Sequence, residues 1–456
     1  MSSPVYDLLI KNGTLATSGG EVRADLAVRD GKIAAIGHDL GSASGQVDAT
    51  GLHLLPGLLD IHVHFRDPGV TYKEDFGTGT RGAAAGGVTT IHDMPNTLPV
   101  VGTREAFAQK LAEVAPKAHV DFGLYGVILP DNEEHLVGLA GAGAIGFKLY
   151  LGETVGEIPT PDDGTIFAAF RRIAELGLVV GVHAENNPIL QRLRDELRAA
   201  GRVDARAHLD SRPDFIEAEA IDRAATIAAA TGCRLHIHHL STRAGLERVR
   251  LARERGTRVT CEAIVAHLVL DETAYEQYGN LVKLNPPVRA RDHVDALWAG
   301  IAAGQIDCIA TDHAPHSAEE QARSNVWEAQ GGWIGVETML PLLLTKVAEG
   351  CLSLADLVRL TSENPARLYG HFPTKGSLHI GADADIVLVD LQQRWRLEQT
   401  RLHSRHPVTP YDGWQMTGRP VATYLRGRCV ARDGIAIGDP GGRFLTPRNA
   451  SPATAR

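Results

Sequence analysis

Eight short apolar runs recur between Leu58 and His316, and amphipathic segments separate them. The runs are LLDIHVH, VTTIHDM, VDFGLYGVI, AIGFKLYL, LVVGVHAE, RLHIHHLS, RVTCEAIV and IDCIATDHAPH. Between them lie segments such as REAFAQKLAEVA, FAAFRRIAELG, EAEAIDRAATIAAATG and LERVRLARERG. These carry apolar residues at three- and four-residue spacing, often with a closing glycine, which is the helical pattern. Eight strand–helix units predict an α/β chain folded as a (β/α)8 barrel. A doubly wound open sheet is the alternative. It is the weaker one, because no glycine-rich dinucleotide loop follows any strand.

The two ends of the chain have a different character. LLIKNGTLAT and VRADLAVRDGKIAAIG alternate apolar and polar residues and read as short strands joined at Asn12-Gly13 and Asp30-Gly31. ADIVLVDL and VATYLRGRCVARDG repeat that character near the other terminus. The expectation is a small β-sandwich domain built from both ends, with residues 1–55 and 371–445 flanking a barrel at 56–370. The closing RNASPATAR has no periodicity and reads as a loose tail within 446–456.

At 456 residues, with 44% hydrophobic and 22% charged, the chain can bury a large core. A net charge of -9 disfavours a nucleic-acid or acidic-lipid partner, both of which call for a basic face. The five cysteines are widely spaced with no CxxC pair, so neither a disulfide framework nor a zinc ribbon is expected. No signal peptide and no bilayer-spanning stretch is visible, and a cytoplasmic location is the expectation.

Six potential metal ligands fall at the downstream ends of these runs: His62, His64, Lys148, His183, His239 and Asp312. Barrel strands bring those ends to one mouth, so distant residues would meet there. His62 and His64 are two apart on a strand and share a face. In HIHHLS, strand parity leaves His236, His238 and His239 all open as the ligand. Asp312 could bind metal, accept a proton from water and pass it to a leaving nitrogen. Lys148 fits a metal site only if its neutral amine captures CO2 as a carbamate, and a desolvated lysine loses its proton readily.

Taken together, PGLLDIHVHFRDPG, GGVTTIHDMPNT, GFKLYLGET, VHAEN, HIHHLS, ATDHAPHSAEE and GADADIVLVD resemble the cyclic amidohydrolases: dihydroorotase, allantoinase and hydantoinase/dihydropyrimidinase. The resemblance implies two Zn²⁺ ions. Residues matching His62 and His64 hold one, and those matching His183 and His239 hold the other. A carboxylated Lys148 bridges them, with Asp312 as metal ligand and proton shuttle. It also selects His239 from HIHHLS. It further implies a small cyclic amide or ureide substrate and a homodimer or homotetramer.

HFRDP with MPN is similar to dihydroorotase, which implies that Arg66 and Asn96 grip a substrate carboxylate, with Asn285 and His316 as further contacts. Dihydroorotase, interconverting L-dihydroorotate and N-carbamoyl-L-aspartate in pyrimidine biosynthesis, is the leading expectation. Allantoinase or hydantoinase is the alternative, and a non-catalytic scaffold relative comes third. Two stretches depart from the dihydroorotase pattern. CEAIVAHL lacks a histidine and a proline, and SNVWEAQGG resembles allantoinases. Asp162-Asp163-Gly164 offers a second candidate for the metal bridge, as in one class of dihydroorotases.

Overall fold

Each of the eight apolar runs forms a barrel strand in the computed structural model, which describes residues 5–154, 156 and 158–448. In chain order the strands are Leu58–Val63, Val88–Asp93, Asp121–Leu124 continued by Gly126–Val127, Phe147–Tyr150, Val179–His183, Arg234–Ile237, Val259–Ile264 and Cys308–Ala310. Neighbours pair in parallel. A bridge from Val63 to His313 closes the ring, with His64 N donating to His313 O at 2.7 Å. Buried on both sides, these strands read as apolar runs rather than as alternating patterns.

Helices over the expected segments cover the barrel, including Arg104–Val114, Asp163–Leu176, Asp214–Thr231 and Arg243–Glu254. Gly177 and Gly232 end two of them at φ 71° and 72°, the left-handed cap that glycine adopts without a Cβ clash. No described helix is long and apolar enough to cross a membrane.

Both termini supply the second unit, a nine-stranded sheet. The seam is antiparallel pairing of His53–Pro56 with Ile386–Arg396, which sets Leu54 opposite Leu388. Ile10, Leu26, Leu54, Ile386 and Leu388 belong to a core cluster separate from that of the barrel. Asp30-Gly31 makes the expected turn, at φ 53° and 73°. Asn12-Gly13 does not. The strand runs on from Tyr6 to Thr17, with a register shift between Ile10 and Gly13. Asn12 is held at φ 64° by its N–H donating to Asp25 Oδ1 at 2.9 Å, and a Cβ on Gly13 would meet Leu54 Cδ1 at 2.2 Å. The pair is a bulge over the core, a role that turn chemistry alone does not separate from a hairpin. The proposed tail from 449 onward lies outside the described residues.

A buried ion cluster ties the barrel to the sheet. Lys375 meets Asp383 at 2.8 Å and Asp385 at 2.7 Å, and it also pairs with Asp121 at the start of the third barrel strand. Arg426 donates to the same Asp121 at 2.6 Å. Replacing Lys375 by methionine leaves buried carboxylates short of their cation. The expected loss of stability is about 3–5 kcal/mol, read from the shift of the urea unfolding midpoint. A variant unfolding at the wild-type midpoint would contradict this account.

Candidate active site

The six sequence-predicted ligands all line one chamber at the C-terminal mouth of the barrel, together with Arg66, Asn96 and Asn285. His62 Nε2 and His64 Nε2 stand 3.3 Å and 3.0 Å from Asp312 Oδ1, so the first and eighth strands deliver their side chains to one point. On the far side His183 Nδ1 faces His239 Nε2 at 2.9 Å. Lys148 is buried between these groups and has the Tyr150 ring 5.2 Å from its nitrogen. Burial pulls the lysine pKa down to about 7, against the carboxylates of Asp312 and Glu262, which favour the charged form. A neutral amine is therefore accessible near neutral pH.

Arg66, His239 and Asp312 adopt φ of 61°, 37° and 50°. L-residues rarely adopt this region, and such strain gathers where surrounding structure fixes a functional side chain.

His236 and His238 turn away from the chamber onto Glu262, at 3.1 Å and 3.0 Å. Glu262 also meets His62 Nδ1 at 2.5 Å and accepts from the His239 backbone N–H at 3.2 Å. Burial pushes its pKa up to about 8, against the pull of the Lys148 ammonium. Glu262 thus receives the back of His62 and leaves Nε2 facing the chamber. His64 is set the same way, its Nδ1 lying 2.6 Å from Asn96 Oδ1. The His62, His238 and Glu262 group is accordingly a hydrogen-bonded support. Asp121, Asp383 and Asp385 also approach one another, but the Lys375 ammonium already occupies that cluster.

The donor set suits divalent cations. Nitrogen and oxygen atoms of His62, His239 and Asp312 lie within 4.8 Å of one another. Burial holds all four chamber histidines below their ordinary pKa, so they are neutral and carry lone pairs. Two neutral imidazole nitrogens aimed at each other call for a shared proton or a shared cation. His239 Nδ1 has no hydrogen-bond partner among the described residues.

Asp162 is removed from this chamber. It caps the helix Asp163–Leu176 by accepting from Thr165 N at 2.8 Å, and Asp163 faces Arg223 at 3.2 Å. Of the two bridge candidates only Lys148 stands among the histidines.

Residues 53–430 match the sequence profile of the amidohydrolase family. The chain belongs to that family. An allantoinase of Rubrobacter xylanophilus is 41% identical over 447 residues, covering 97% of this chain and 98% of its own length. An L-hydantoinase of Paenarthrobacter aurescens is 39% identical over 453 residues, covering 98% and 99%. The structure described as L-hydantoinase (dihydropyrimidinase) from Arthrobacter aurescens superimposes with a TM-score of 0.95 at 38% identity, over 97% of this chain and 100% of that one. This amidohydrolase is thus a metal-dependent hydrolase of cyclic amides. The relatives' names favour the allantoinase/hydantoinase alternative over the leading dihydroorotase expectation.

The amidohydrolase chamber opens to a vestibule of about 580 Å³, with Arg66, Asn96, Thr154, Asn285 and Gly331 lining both. The Arg66 guanidinium is buried, yet among the described residues its hydrogen-bond partners are only Pro315 O and His316 Nε2, each at 3.4 Å. No described carboxylate pairs with it. His316 is not among the residues lining the chamber or the vestibule. It lies behind Arg66, with Lys73 Nζ at 3.0 Å and Gly331 O at 3.1 Å.

The sequence reading missed Glu262 and Glu185, both fully buried. An acid inside CEAIV or two residues past a strand-ending histidine in VHAEN was the available signal.

Proposed function

We propose that this amidohydrolase opens a five-membered ureide ring of the allantoin–hydantoin type by hydrolysis of a ring amide bond. The observation that carries the reading is the convergence of His62, His64, Lys148, His183, His239 and Asp312 on one chamber beneath a vestibule large enough for such a ring. His62, His64, His183, His239, Asp312 and a carbamate of Lys148 would hold two Zn²⁺ ions. Such cations supply a water deprotonated near neutral pH and polarise a carbonyl. Asp312 takes the proton of the attacking water and returns it to the departing ring nitrogen. Asn285 and Arg66, at the junction of chamber and vestibule, orient the ring. The proposal includes a homodimer or homotetramer as the assembled form.

A second reading keeps dihydroorotate as substrate. It is favoured by one observation, the buried Arg66 guanidinium with no described carboxylate partner, since a substrate carboxylate would complete it. Allantoin, a 5-substituted hydantoin, dihydrouracil and dihydroorotate assayed side by side separate the two. Allantoin or the hydantoin is expected to exceed dihydroorotate in kcat/KM by more than about tenfold. The reverse order would install the second reading. In that event Arg66→Ala should raise KM for dihydroorotate by about 10²-fold or more, the cost of losing a charge-assisted pair. An unchanged KM would remove the carboxylate clamp.

A further inference from the structure

His62 and His64 are each backed by one neighbour, Glu262 and Asn96, but the second histidine pair rests on a longer buried network. His183 Nε2 lies 2.9 Å from Glu185 Oε2, and the same carboxylate oxygen accepts from the Arg212 guanidinium. The backbone carbonyl of Arg212 accepts from Arg289, and Arg289 Nε donates to Ser241 Oγ at 3.1 Å. Ser241 follows His239 by two residues. All six residues, His183, Glu185, Arg212, Arg289, Ser241 and His239, are buried. The network therefore starts at His183 and ends at Ser241, two residues past His239, and none of its hydrogen bonds goes to the His62 or His64 ring.

The geometry has one chemical consequence. Glu185 Oε2 already accepts from the Arg212 guanidinium and lies 2.9 Å from His183 Nε2, a geometry that places the ring hydrogen of His183 on Nε2. Nδ1 is then the bare nitrogen, and it is Nδ1 that faces His239 Nε2 at 2.9 Å. The buried Arg212 guanidinium pairs with Glu185 and fixes its carboxylate behind His183.

We infer that Glu185, held by Arg212, is a positioning residue that presents His183 Nδ1 to the second of the two metal ions, and that this support is selective for that ion. The inference rests on the two-metal reading above. A carboxylate behind a ligating histidine fixes its tautomer and raises its basicity, and losing one typically weakens metal binding by about 10–100-fold.

The test compares zinc binding by wild type and Glu185→Gln, each stripped with chelator and titrated with zinc alone, with metal content read by elemental analysis. Wild type is expected to take two zinc ions per chain. Glu185→Gln should keep one with wild-type affinity and bind the other about 10–100-fold more weakly. Its kcat at limiting zinc should fall with KM nearly unchanged, and excess zinc should restore it. Two ions bound by the variant with wild-type affinity, or equal weakening of both, would overturn the inference and leave the two-metal reading intact. A wild type that takes no second ion would instead remove that reading. Should the variant not fold, a crystal structure of the zinc-loaded wild type decides. Zinc on His183 Nδ1 with Nε2 still on Glu185 supports the inference, and zinc on Nε2 overturns it.

Discussion

Lys148→Ala is expected to lose activity by more than about 10³-fold, a barrier increase of about 4 kcal/mol, together with most of its bound metal. The size of the effect follows from what surrounds the side chain. His62, His64, His183 and His239 are neutral, so among the described residues lining the chamber only Asp312 and a lysine carbamate can offset the charge of two divalent cations. Without the carbamate that charge stands in a buried, poorly screened place. A small carboxylate added to the medium should partly restore Lys148→Ala, since it supplies the missing anion in the space the side chain leaves. Metal content and kcat should recover together. A variant retaining two ions and wild-type rate would exclude the bridge.

The same residue carries a pH dependence. The folded pKa of Lys148 is depressed from 10.5 to about 7 by burial, so its neutral, nucleophilic form grows as pH rises through about 7 rather than through 10.5. Reactivation of metal-stripped wild type by zinc at a fixed concentration of dissolved CO2 should accelerate between about pH 6 and 8 and level off above that range. A rate still climbing between pH 9 and 10.5 would mean that the amine is not desolvated before metal binds.

Much of the barrel was legible because its strands are buried on both faces. LLDIHVH or LVVGVHAE can hardly sit anywhere but between two apolar layers, and the chemistry-bearing residue at each end marks the mouth. The choice within HIHHLS was not legible from parity. The sixth barrel strand ends at Ile237, and His239 has φ 37°, so alternation stops before the histidine that enters the chamber. Parity assigns faces only while the backbone stays extended. Glu262 and Glu185 escaped for another reason. An acid beside a histidine in sequence does not announce which histidine it will meet, and Glu262 reaches His62 across 200 positions of chain. The ring opened is the hardest part to read. Arg66 in HFRDP pointed to a carboxylate, and its buried guanidinium remains consistent with one, while the named relatives point to ureides.

Asp312→Asn should separate holding metal from moving a proton. The amide keeps the shape of the carboxyl group and one oxygen that can stay near His62 and His64, which now approach Asp312 Oδ1 at 3.3 Å and 3.0 Å. It cannot take a proton from water and hand it on. Loss of a general acid–base group costs about 10²–10⁴-fold in kcat. Here the same group serves attack and departure, so the upper part of that range is expected, with KM changed far less. The loss should depend on the leaving nitrogen. A ring whose nitrogen is made less basic by an electron-withdrawing substituent departs without much help, so Asp312→Asn should be impaired least on such substrates. If the deficit were the same for all leaving groups, Asp312 would be a ligand only. The departing nitrogen would then have to draw its proton from water entering through the vestibule.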